Sequence, residues 1–147
     1  MKKWIVNSLR EAAWAPLLVF CFYAVAAKGF QAYLLFPWLD MPTHFAGGMA
    51  MTWFFRVSVT HLQEVVGRIP NAIRLALSLG LTAIVAVVWE FLEFFSDVAL
   101  GTQMNLGVAD TLSDLFFGLA GGLLIVVVSG SKTERELVPP AKPVTEG

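Results

Sequence analysis

Four largely apolar stretches divide this chain, at about 12–27, 42–60, 72–98 and 108–129. An α-helix needs roughly 20 apolar residues to cross about 30 Å of hydrocarbon. Lipid also admits only backbone whose polar groups are satisfied within helices or closed barrels. The stretches therefore predict an all-α fold, a polytopic integral membrane bundle of about four transmembrane helices spanning 1–130. Composition points the same way. Of 147 residues, 57% are hydrophobic and 14% charged, where a soluble domain carries about 25% charged residues. A soluble domain of this size has too much surface for its volume to hide that much apolar area. The tail 131–147, with Pro139, Pro140 and Pro143, is polar and reads as disordered.

The positive charges give the orientation. Lys2, Lys3 and Arg10 precede the first stretch, and Arg56, Arg68 and Arg74 surround the second connection. Lys132, Arg135 and Lys142 follow the last stretch, which leaves only Lys28 on the other side. By the positive-inside rule both termini are cytoplasmic, in a multi-pass protein of the inner (plasma) membrane. Lys2, Lys3 and the run to Ala24-Val25-Ala26 superficially resemble a cleavable signal peptide. The bulky aromatic make-up and the Arg10-Glu11 pair favour an uncleaved anchor. A net charge of −1 excludes a nucleic-acid partner recruited by bulk charge. The single cysteine, Cys21, excludes an internal disulfide and any CxxC metal or redox motif.

The acids are distributed differently from the bases. Asp40, Glu90, Glu93, Asp97, Asp110 and Asp114 all fall at or just below the outer ends of the second, third and fourth stretches. Asp40 and His44 are i and i+4; Glu90, Glu93 and Asp97 are i, i+3 and i+7; Asp110 and Asp114 are again i and i+4. Each set lies on one stripe of its helix, so three helices converge on one pocket. Two carboxylates about 6 Å apart repel by roughly 3 kcal/mol at an effective dielectric of 20, so a cluster of them must hold metal or share protons. An acid below the membrane interface is a functional candidate by default.

The expected ligands are Asp40, His44, Glu90, Glu93, Asp97, Asp110 and Asp114. For Asp40 and Asp110, helix capping and ligation are both open readings. Asp97 near the interface also reads as simply solvated, and Trp89 as an interfacial belt residue. One imidazole among many carboxylate oxygens suits a divalent ion (Mg, Mn, Ca or Zn) and argues against copper or iron–sulfur.

Small residues continue the acidic stripes inward: Gly47 and Gly48 below His44, Gly118, Gly121 and Gly122 below Asp114, Ala86 and Ala83 below Glu90. Gly118 and Gly122 form a GxxxG pair, which permits close helix contact in lipid, within the chain or between copies in an oligomer.

The ordered set Asp40-x3-His44-Phe45-x2-Gly48, Glu90-x2-Glu93, Leu100-Gly101-Thr102-Gln103 and Asp110-x3-Asp114-x3-Gly118 resembles the bacterial YjdF-type inner-membrane family. A looser likeness runs to VanZ-like membrane proteins. The resemblance covers about 40–122 and implies a polytopic bundle, with no activity to carry over. It adds Thr102 and Gln103 as rim residues on an outward loop.

Three functions compete. The first is a metal-dependent hydrolase or transferase acting on a lipid or lipid-phosphate, with membrane lipids as partners and Glu93 as general base. The second is a non-catalytic subunit in which metal pins the helices. The third is a cation or proton-coupled transporter, disfavoured because glycine and alanine below the acids offer no polar steps inward.

Overall fold

The computed structural model describes residues 2–130; the tail expected to be disordered lies outside them. Among the described residues every regular element is helical. They are α1 (Lys2–Ala12), α2 (Trp14–Ala24) with a π-turn at Val25–Gly29, the short α3 (Ala32–Leu35), a 3-10 turn at Pro37–Leu39, α4 (Asp40–Val66), α5 (Asn71–Leu100) and α6 (Val108–Gly130).

The first apolar stretch does not form one straight helix over 12–27. It continues back through α1, and the two segments meet at a 53° bend. Pro16 accounts for the break: it has no N–H to give the carbonyl of Ala12, and its ring crowds that carbonyl. The neighbouring bonds from Ala13 N to Leu9 O and from Leu17 N to Ala13 O survive, both at 3.1 Å. The chain therefore bends without unravelling.

By length and apolarity α5 and α6 can each cross a membrane, and α1–α2 makes a third crossing if the bent pair counts as one. The four crossings expected from sequence thus reduce to two or three by this measure. The difference lies in α4. At 27 residues it is long enough, but Thr43, His44, Thr52, Arg56, Ser58 and Thr60 lower its apolarity. The reason is positional: α4 is the central helix, packed against α1, α2, α5 and α6. Several of its polar residues are therefore enclosed by other helices: Thr52 and Ser58 are buried, as are Gly48 and Ala50.

Two turns set the register. Gly67 ends α4 at φ +86° with its N–H on Gln63 O at 3.0 Å, and Pro70 then starts α5. Gly101 ends α5 in the left-handed conformation, with its N–H on Asp97 O at 3.0 Å. A residue with a Cβ is strained at either position.

The tightest packing is between α4 and α6. A Cβ on Gly48 would run into the backbone of Gly118, and one on Gly121 into the carbonyl of Phe45. A Cβ on Gly122 would lie 2.6 Å from Thr52 Oγ1 and 2.9 Å from Leu79 Cδ1. Gly118 itself has room, its nearest neighbours lying at 3.8 and 3.9 Å. The seam therefore sets Gly48 against the Gly118 backbone, Gly121 against Phe45 and Gly122 against Thr52, with Gly118 the one position where a Cβ would fit.

Candidate metal centre

The backbone contact at Gly48 fixes what lies one turn above it. His44 sits on α4 facing Asp114 on α6, with His44 Nε2 3.8 Å from Asp114 Oδ1 and 3.4 Å from Asp40 Oδ1. The ring nitrogen thus lies between two carboxylates without a close hydrogen bond to either. From the third side α5 contributes Glu90 and Glu93, one turn apart on its buried face.

One ligand atom from each of His44, Glu90, Glu93 and Asp114 lies within 4.8 Å of all the others. Asp40, Asp110 and Asp114 form a second set of the same tightness, so Asp114 belongs to both. Three of these acids are sealed from the surroundings: Glu90 is 7% exposed, Glu93 4% and Asp114 2%.

Hydrogen bonding inside the cluster is incomplete. Trp89 Nε1 donates to Glu93 Oε1 at 2.8 Å. Both carboxylate oxygens of Glu90, Oε2 of Glu93 and Oδ2 of Asp114 are buried and receive no hydrogen bond among the described residues. Nor does any arginine or lysine whose side chain is described pair with these acids. Buried, unpaired carboxylate oxygens are costly. At 4.8 Å or less and an effective dielectric of 20, each ionised pair adds roughly 3 kcal/mol of repulsion.

A divalent ion or shared protons would relieve both. Opposed ligands stand about 4.2 Å apart across Mg²⁺ and about 4.8 Å apart across Ca²⁺, so separations of at most 4.8 Å are of the size that such an ion would span.

The remaining expected residues divide. Asp40 opens α4 without a side-chain capping bond, and its carboxylate faces His44. Asp110 Oδ2 accepts the N–H of Leu106, ahead of the start of α6, at 2.8 Å, and the residue lies in the second set. Asp97 is not brought to either set. Its carboxylate accepts from Thr102 Oγ1 and, at 2.9 Å each, from the N–H groups of Met104 and Asn105. Asp97 therefore orders the α5–α6 connection, and Thr102 serves that bond. Gln103 is exposed on the same loop.

Two contributors lie outside the expected ligand set. Trp89 is a wall of the site as well as Glu93's donor, packed edge-on to Tyr23 at 5.4 Å between ring centroids. Its i, i+4 spacing from Glu93 was the available signal. Asn105 bonds Thr111 Oγ1 through Nδ2 at 2.7 Å and accepts the Gly107 N–H at 2.8 Å, tying the loop to the start of α6. Nothing in its local sequence marked it.

Beneath the acids the interior is not only glycine and alanine. Thr52 and Thr82, both buried, share a hydrogen bond at 2.8 Å between α4 and α5, and Thr82 also bonds Ser78 O at 3.0 Å. These hydroxyls are engaged with one another and with backbone, and they tie the two helices below the site.

No curated protein and no solved structure matches the chain significantly. A family model described as a predicted membrane protein, DUF2238, matches residues 3–135, which supports a membrane family without singling out the YjdF or VanZ likeness. With nearly all of the described bundle inside that match, the chain belongs to the DUF2238 family of membrane proteins.

Proposed function

We propose that this protein is a divalent-metal-dependent hydrolase or transferase of the inner membrane, acting on a lipid or lipid-phosphate at the outer leaflet. One observation carries the reading: buried carboxylate oxygens without partners converge with an imidazole from three helices. The two sets share Asp114, so the residues present would hold two divalent ions as well as one.

Divalent ions there supply Lewis acidity for attack on an ester. They also make an acidic pocket acceptable to an anionic substrate. His44, Glu90 and Asp114 would hold the ions, and Asp40 and Asp110 would complete the outer set. Glu93, with Oε1 fixed by the Trp89 indole, keeps Oε2 to take a proton from attacking water as general base. In this reading all four apolar stretches cross, α4 shielded by its neighbours, and the basic ends 1–10 and 131–147 are cytoplasmic.

A structural role for the ion is the second reading, favoured by the ligands coming from α4, α5 and α6 at once. Elemental analysis of the purified protein, wild type and Asp114→Asn, tests the centre. Stoichiometric metal in the wild type and its loss in the variant are expected; a metal-free wild type that added Mg²⁺, Mn²⁺, Ca²⁺ and Zn²⁺ leave unchanged overturns the proposal. Glu93→Gln separates the two readings. Catalysis predicts retained fold and lost turnover, whereas a structural ion predicts that fold and metal go together.

A further inference from the structure

A groove of about 500 Å³ leads away from the metal centre between α2, α4 and α5. Its upper end is polar, with Asp40, Thr43 and His44; below them the lining is almost wholly apolar, down to Phe54 on α4 and Leu9 on α1. From His44 to Phe54 the helix rises about 15 Å, half of a bilayer's ~30 Å hydrocarbon core. The groove thus has the depth of one leaflet and a carboxylate–imidazole head.

Gly47 shows that the space beside the head is kept open. It lines the groove directly below His44, and a Cβ there would meet nothing within 4 Å. The next residue, Gly48, also borders the groove, but a Cβ on it would run into the Gly118 backbone. Packing explains Gly48 and leaves Gly47 unexplained. The bend at Ala13 completes the shape, since Leu9, Ala13, Pro16 and Leu17 on its two sides all line the groove.

We propose that this groove binds one aliphatic chain of a phosphate-bearing membrane lipid, with its headgroup at the groove's polar end, Asp40, Thr43 and His44, on the edge of the centre that Glu90, Glu93 and Asp114 complete from within. The inference rests on the metal-centre reading for the headgroup alone; the chain site stands on the groove. Gly47 is then a specificity residue that admits the chain, and the depth at Phe54 limits its length. The occupant is a lipid because the two ends differ in the order that a lipid differs: anion-compatible once ions are present, then apolar for one leaflet.

The test uses the full chain in phosphatidylcholine nanodiscs with a phosphatidic acid bearing a diazirine at the end of one acyl chain. Wild type is expected to label at Met51, Phe54 and Leu17, more strongly than at the outward faces of Phe91 and Val127. Gly47→Phe is expected to reduce groove labelling severalfold with metal content unchanged. Should that variant misfold, Met51→Trp, deeper in the groove, is expected to lose long-chain labelling while retaining a short-chain analogue. Labelling of Phe91 and Val127 equal to that of the groove, or groove labelling untouched by both variants, overturns the chain site. Groove labelling in a protein that binds no metal leaves the chain site standing and removes the metal centre instead.

Discussion

Trp89 and Glu93 stand one turn apart on α5, joined by a 2.8 Å bond from the indole nitrogen to Oε1 in a buried site. That bond leaves Oε2 as the only unpartnered oxygen of Glu93 and gives it a direction. Outer-shell partners of this kind are worth about 10-fold to 100-fold in metal affinity or activity. With Glu93 as general base, Trp89→Phe should lower turnover by about that factor while leaving metal content and helix content intact, as read by activity, elemental analysis and circular dichroism. Unchanged turnover would remove Trp89 from the site.

Metal and carboxylate repulsion should oppose each other in stability. Chelation should lower the melting temperature of wild type, and so should acidification, because protons compete with the ion for the same oxygens. Glu90→Gln with Glu93→Gln removes ligands and repulsion together. The double variant should lose its response to chelator, and its metal-free form should melt above metal-free wild type. Thermal melts with and without chelator at several pH values check both statements.

The two adjacent glycines of α4 should respond oppositely. Gly48→Ala places a methyl against the Gly118 backbone and should cost about 1–3 kcal/mol, as overpacking does. Gly47→Ala meets open space and should be neutral to stabilising, by up to about 1 kcal/mol, set by the helix preference for alanine. Comparable losses for both in denaturation of the purified protein would mean that the α4–α6 seam is misplaced.

At the opposite end of α4, His61 bonds Glu11 of α1 at 2.8 Å and Glu64 at 3.3 Å. The hydrogen bond to Glu11, joined by that to Glu64, raises the imidazole above its ordinary value against a smaller opposing effect of burial. A histidine raised on folding stabilises fully below its unfolded value and loses that contribution as pH rises through the folded value. Because Glu11 is 57% exposed, the gain is screened and should stay below about 1 kcal/mol. His61→Gln should therefore narrow the stability difference between slightly acidic and mildly alkaline solution, measured in chelator so that the metal centre does not contribute.

Orientation is checked with single cysteines at Thr102 and Lys132 in a Cys21→Ala background. An impermeant thiol reagent should reach Thr102→Cys from outside intact cells and Lys132→Cys only after lysis. Labelling of Lys132→Cys from outside would reverse the topology and move the acidic centre to the cytoplasmic face.

The sequence by itself determined where helices can run and which face of each carries acid. Hydrophobicity marked stretches at 72–98 and 108–129, within two residues of α5 and α6 at either end, because lipid selects apolar side chains position by position. The i, i+3 and i+4 spacings brought out His44, Glu90, Glu93 and Asp114, because helix geometry alone puts such residues on one stripe. Tertiary structure decided the rest. The consequence of Pro16 depended on whether α1 had α4 to pack against, and the polarity of α4 on which neighbours surround it. Asp97 and Asp114 look alike in sequence, each an acid near a helix end. One is turned to the loop amides of Met104 and Asn105 and the other to His44, and that choice is made by the α5–α6 connection and the Gly48–Gly118 contact. Periodicity states which side of a helix a residue occupies; only packing states what stands opposite.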